Sequence, residues 1–124
     1  MKITVNEKNA ILQNANFLVK MGYTVEVNDY IIVYSRPENQ IIITFEPYSD
    51  VSDMSIKFLE KNEFFSIGWI VFVQSDLKLN VHKRLDNILS LLNYLSQNYE
   101  SITDYNYCLE SNKLIDDFID KNRK

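Results

Sequence analysis

The chain contains one histidine and one cysteine, so the residue types that most often carry acid–base or nucleophilic catalysis are nearly absent. His82 precedes a predicted helix and has Asp76 and Asp86 nearby in sequence. A catalytic histidine needs an orienting carboxylate and a nucleophile within reach, and no such constellation is visible around it. We therefore predict that His82 is a surface residue near a helix start.

Cys108 stands alone, so no disulfide can form within the chain and a reducing cytoplasm is the expected compartment. A reactive thiolate needs a neighbouring cation or a helix N-terminus, and the nearest basic residue in sequence is Lys113. Cys108 is therefore predicted to be buried and inert. The longest apolar stretch, residues 64–73, is too short to span a bilayer, and the chain starts without a signal-peptide pattern, so no membrane partner is expected.

Three carboxylates, Glu46, Asp50 and Asp53, are spaced closely enough to suggest a loop for a hard cation. Calcium loops need five or more oxygen ligands and a glycine for the sharp turn, and this loop has no glycine. A phosphate-binding loop lacks parts because the chain has only two glycines, and a zinc site lacks ligands because the chain has one histidine and one cysteine. We therefore expect no metal, no cofactor and no enzymatic activity.

The charge distribution favours protein binding. Of 124 residues, 13 are Lys or Arg and 17 are Asp or Glu, and the net charge of −4 argues against nucleic acid as a partner. Acidic residues and tyrosines alternate in the loop 46–53 and in the segment 104–110, and carboxylates with rigid aromatic anchors suit the recognition of a basic protein surface. The predicted binding residues are Glu46, Tyr48, Asp50, Asp53, Asp104, Tyr105, Tyr107 and Glu110. The alternative is a solvated acidic surface with tyrosines packed at its rim.

The residue pattern predicts an N-terminal helix followed by a sheet. Thr4 and Glu7 form a capping box, and apolar residues at helical spacing extend the helix over about 5–21, where Gly22 ends it. Alternating apolar residues and turn signals then predict three hairpins, in which Val27 pairs with Tyr30, Ser35 with Gln40 and Phe58 with Phe65. The three registers agree on one buried face, which carries Tyr23, Val25, Ile32, Ile43, Ile56, Ile67 and Trp69.

The C-terminal part is predicted to be helical. Leucines and isoleucines at helical spacing place one helix over about 83–99, residues 102–108 are expected to be irregular, and an amphipathic helix begins near Ser111. The predicted fold is α+β: an N-terminal helix, a five-stranded antiparallel meander sheet and two C-terminal helices packed on one sheet face, as one domain over 1–124. The opposite face mixes polar and aliphatic residues, Ile42 and Ile70 among them, and is either solvated or covered by a partner or a second copy.

Three segments resemble small bacterial immunity proteins of polymorphic or contact-dependent toxin systems. They are the helix end Met21-Gly22-Tyr23, the predicted strand 68–73 and the tyrosine-rich segment 98–107 before an acidic helix. The resemblance implies a cytoplasmic protein that neutralises one cognate toxin domain, often a nuclease, by direct binding. The alternative is a module similar to secretion chaperones, which are also small and acidic and commonly form homodimers, binding an exported client.

Overall fold

The computed structural model describes residues 1–123 and confirms the α+β class. A five-stranded antiparallel sheet has its strands in chain order, with helices before and after it. The elements are α1 (Val5–Asn14), α2 (Asn16–Lys20), β1 (Thr24–Val27), β2 (Ile31–Ser35), β3 (Asn39–Phe45), β4 (Ser52–Phe58), β5 (Glu63–Ser66), α3 (Ile67–Gln74), α4 (Arg84–Gln97), α5 (Tyr99–Ile102) and α6 (Tyr105–Lys121).

The core lies between one sheet face and the helices. Every second residue of β3 and β4 is buried, which is the alternation expected when a strand buries only one face. These residues pack with buried side chains from α1, α3, α4 and α6 in a single cluster. Of the predicted buried face, Tyr23, Ile32, Ile43, Ile56 and Ile67 are confirmed in this core.

The hairpin registers are partly confirmed. Ser35 pairs with Gln40 as predicted, but Val27 pairs with Ile32, two residues beyond the predicted partner Tyr30. A two-residue slip leaves every side chain on the same face, so apolar alternation alone could not detect it. The prediction that Val25 is buried is wrong, because all four residues of the edge strand β1 are exposed.

The largest correction concerns residues 67–73, which form α3 where a strand was predicted. Phe65 pairs with Ile56 and the strand ends at Ser66, whose hydroxyl accepts a hydrogen bond from the Trp69 N–H at 3.2 Å. Ser66 thus caps the helix that follows it. The segment is apolar on all sides, so it has no period that separates strand from helix. Trp69 is consequently exposed, and its predicted burial is wrong.

The other helices differ from prediction mainly at their ends. The capping box of Thr4 and Glu7 is confirmed, Gly22 has a positive φ of 97°, and the first helix is interrupted at Ala15. The last helix begins at Tyr105, six residues before the predicted start at Ser111. Its extra turns form because the Asp104 carboxylate accepts hydrogen bonds from the first free N–H groups, so the expectation of an irregular 102–108 segment is wrong.

Candidate functional site

The two predicted acidic segments lie at opposite ends of β4. The loop 46–51 leads into β4 at Ser52, whereas the Tyr105 ring packs edge-on against Phe58, the last residue of the strand. Six residue steps separate the two ends, or about 20 Å of extended chain. The fold therefore does not bring the two segments into one continuous surface.

The first segment is open to solvent. Tyr48 is 98% exposed, and Glu46 and Asp50 are also exposed. Asp53, on the sheet face away from the core, is half-buried and accepts a hydrogen bond from the Ser66 hydroxyl at 2.8 Å. This carboxylate lies at the N-terminus of α3, where the helix dipole favours negative charge. A Cβ added to Gly68 would lie 2.8 Å from the Asp53 carboxylate, so a larger residue here would have to displace that carboxylate.

The tyrosines of the second segment, Tyr105 and Tyr107, pack largely against other side chains of the protein. The Tyr105 ring contacts Phe58 and Phe65 edge-on, and its hydroxyl donates to the Glu63 carboxylate at 2.8 Å. Tyr107 is half-buried, and burial raises the pKa of its hydroxyl to about 12. Asp104 caps α6, while Glu110 is exposed.

A mostly apolar groove of about 740 Å³ opens between α3, the β3–β4 loop and the segment 75–83. We call it the α3 groove. Its lining includes the aromatic residues Trp69 and Phe72, the aliphatic residues Leu77, Leu79 and Val81, and the charged residues Asp53, Asp76 and Lys78. The remaining lining residues are Val51, Ser52, Ser66, Gly68, Ser75 and Asn87.

Three exposed aromatic rings adjoin the α3 groove, and we call them the aromatic patch: Trp69, Phe72 and Phe118. The ring centroids of Phe72 and Phe118 are 4.9 Å apart, and Trp69 lies 5.7 Å from Phe72 and 6.3 Å from Phe118. Trp69 is 42% and Phe72 51% exposed. Because α3 is apolar on every side and its residues Ile67, Ile70 and Val71 face the core, its other side leaves Trp69 and Phe72 in solvent.

A buried polar cluster adjoins the groove and shares Ser52 and Asn87 with its lining. The Arg84 guanidinium donates to both carboxylate oxygens of Glu7, at 2.7 and 2.8 Å. The Ser52 hydroxyl donates to the Arg84 carbonyl at 2.8 Å, and the Asn87 amide donates to the Ser52 carbonyl at 3.0 Å. Burial alone would raise the pKa of Glu7, but the hydrogen bonds from Arg84 and from the Thr4 backbone outweigh it and lower the pKa. The cluster thus ties α1, α4 and the start of β4 together.

The two side chains best suited to catalysis, Cys108 and His82, are not assembled into a site. Cys108 is buried, as predicted; its thiol donates to the Ile102 carbonyl at 3.2 Å, and burial raises its pKa to about 12. His82 is exposed. Among residues 1–123, no group of three or more His, Cys, Asp or Glu side chains could hold a metal ion. Within the same range, none of the helices combines the length and apolar character needed to cross a membrane.

The aromatic patch does not follow from the sequence pattern. Apolar alternation places Trp69 on a buried strand face. Helical spacing places Phe118 in the apolar stripe of the last helix, of which only Ile115 is largely buried. One available signal is Ser66, a good helix-capping residue directly before the apolar run. The predicted acidic loop does border the groove, since Val51, Ser52 and Asp53 line it.

Comparisons of the chain with protein-family models, with curated proteins and with solved structures found no match.

Proposed function

We propose that this chain is a non-enzymatic binding protein that neutralises a cognate bacterial toxin domain, as an immunity protein does. The observation that carries the proposal is the aromatic patch beside the α3 groove. Trp69, Phe72 and Phe118 keep large apolar surfaces in solvent at one place on the molecule. Contiguous patches of this kind mark interaction sites, and tryptophan is among the residues that contribute most to protein interfaces.

The charge around the patch favours a basic partner. Asp53 and Asp76 line the groove, and the exposed carboxylates of Glu46 and Asp50 lie in the adjoining loop. With a net charge of −4, the chain would be attracted to a basic active-site cleft, where these carboxylates would occupy the place of an anionic substrate. The proposed interface thus keeps the acidic loop 46–53 and adds the aromatic patch. The segment 104–110 would be a separate contact.

The non-enzymatic part of the proposal is supported by the positions of the reactive side chains. The Cys108 thiol is buried with a raised pKa, which keeps it protonated and out of contact with a substrate. No nucleophile is hydrogen-bonded to exposed His82 among residues 1–123.

A secretion-chaperone-like module is the second candidate, and the outer sheet face favours it. Val33 and Ile42 are paired across β2 and β3 on this face, and together with Ile31 they are only partly buried. A client segment or a second copy of the chain could cover this row of aliphatic side chains, as in a homodimer.

Co-expression with the neighbouring gene tests the proposal. An immunity gene lies directly downstream of its toxin gene, so the C-terminal domain encoded directly upstream should arrest growth when induced in a bacterial host. Co-expression of the chain should restore growth, and the two purified proteins should form a complex in calorimetry. The proposal is wrong if the upstream domain is harmless, or if it is toxic and the chain neither protects nor binds.

Substitutions test whether the aromatic patch binds the partner. A tryptophan presents up to about 250 Å² of surface, so the exposed 42% of Trp69 offers about 100 Å² to a partner. At about 25 cal/mol per Å² this is worth about 2.5 kcal/mol, and Trp69→Ala should weaken binding roughly 70-fold. Val25→Ala, at the opposite sheet edge, and His82→Ala should protect like the unmodified chain. Binding to an exported client without growth arrest, lost on substitution of Ile42, would instead support the chaperone-like function.

A further inference from the structure

The hydrogen bonds inside the α3 groove identify the ligand chemistry that it can accept. We propose that the groove receives an arginine side chain of the partner, held between the Trp69 ring and the carboxylates of Asp53 and Asp76. This inference rests on the proposed function, since it names the chemical group that a basic partner would insert.

The three serines that line the groove have already used their hydroxyl protons. Ser52 donates to the Arg84 carbonyl and Ser75 to the Val71 carbonyl, each at 2.8 Å. Ser66 donates to the Asp53 carboxylate, also at 2.8 Å. A hydroxyl has one proton to donate, so none of these serines can donate to a ligand without giving up an internal bond.

Acceptors remain free in the same place. Asp76 forms no hydrogen bond or ion pair within residues 1–123, and Ser66 bonds only one Asp53 oxygen. Asn87, which is 5% exposed, donates its amide hydrogens to Ser52, while its amide oxygen has no partner in the described part of the chain. A buried acceptor without a partner is unfavourable, so the groove lining favours a ligand that donates hydrogen bonds over one that brings further acceptors.

The free donors of the lining side chains are fewer. They are the Lys78 ammonium and the Trp69 indole N–H, neither of which has a hydrogen-bond partner within residues 1–123. Two carboxylates against one ammonium leave the groove with a net negative charge. The ligand that fits best is therefore a cation with several hydrogen-bond donors.

Arginine fits this description better than other protein side chains. Its guanidinium carries five N–H donors and no acceptor, stacks on aromatic rings and is less strongly hydrated than an ammonium group. Its aliphatic stem can pack against Leu77, Leu79 and Val81 of the mostly apolar groove, and its charge can lie against the Trp69 ring.

The test uses the intrinsic fluorescence of the chain, because Trp69 is its only tryptophan and lies in the groove. The probe is N-acetyl-arginine amide, and the matched control is the citrulline analogue, which has nearly the same shape without the charge. We expect a saturable change of Trp69 emission with the arginine probe, at a dissociation constant on the order of 1 mM for a ligand of this size. The citrulline analogue should bind at least about five times more weakly.

Two substitutions test whether the probe binds in the α3 groove. Asp76→Asn should weaken probe binding about fivefold, whereas Glu26→Gln, which removes an exposed carboxylate of β1 far from the groove, should leave it unchanged. Equal responses to arginine and citrulline, or no saturation at about ten times the expected constant, would overturn the inference. The two proposals fail separately, since growth protection does not use the probe and the titration does not use the toxin. Protection without probe binding rejects only the arginine site, and probe binding without protection or partner binding rejects only the immunity function.

Discussion

Replacing Arg84 by methionine should destabilise the fold far more than removing a charge from the protein surface. The guanidinium is only 7% exposed, lies over the Phe45 ring and donates two hydrogen bonds to Glu7. It also donates to the carbonyls of Met1 and Lys2, each at 2.9 Å. Arg84→Met keeps most of the side-chain volume but leaves a mostly buried carboxylate without its partner. Removing one member of a buried ion pair costs about 3–5 kcal/mol.

The assay is urea unfolding followed by circular dichroism at pH 7. A domain of this size has about 5–15 kcal/mol of stability, so the expected loss would move the unfolding midpoint strongly. The matched control is Arg123→Met, because Arg123 lies 3.9 Å from Asp120 with both side chains largely exposed. That change should cost less than about 1 kcal/mol. Equal losses in the two variants, or a loss below about 1 kcal/mol for Arg84→Met, would refute the assigned role of the buried cluster.

Further predictions concern stability at other positions. Tyr34 is fully buried and its hydroxyl has no hydrogen-bond partner within residues 1–123, so Tyr34→Phe should leave thermal stability unchanged or raise it by about 1 kcal/mol. Ile43→Ala should cost about 2–5 kcal/mol in chemical unfolding, whereas Val25→Ala should cost less than about 1 kcal/mol because Val25 is exposed. Because folding lowers the pKa of Glu7, its carboxylate stabilises the fold above about pH 4.5. This stabilisation is lost as the pH falls through the lower folded-state pKa. In Glu7→Gln the free energy of unfolding should therefore fall less steeply as the pH is lowered into the acid range.

The sequence identified the parts of the fold that depend on local periodicity. The β2–β3 register was predictable because the turn and the apolar alternation of both strands agree, as the Ser35–Gln40 pair confirms. The outer hairpins were each misplaced by two residues, a slip that changes no side chain's face. Helix α3 was unpredictable from periodicity because burial on one side and an exposed aromatic patch on the other leave no polar face to mark it.

The candidate site was only partly accessible from the sequence. Charge and residue type located the acidic loop 46–53, which borders the α3 groove. They could not indicate that Tyr105 and Tyr107 pack against the rest of the protein. Such contacts involve residues distant in sequence, as the hydrogen bond from Tyr105 to Glu63 shows. The aromatic patch depends on α3 packing beside α6, a long-range arrangement that a single sequence does not reveal.

The central claim is that the chain binds its partner through the aromatic patch and the α3 groove. Hydrogen–deuterium exchange of the chain, alone and with the toxin domain encoded upstream, tests it most directly because it reports protection along the whole backbone. We predict that binding slows exchange in residues 67–83 and in the loop 46–53, with little change in β1. Slowed exchange confined to the outer sheet face around Ile42, or to the segment 104–110, would contradict the claim.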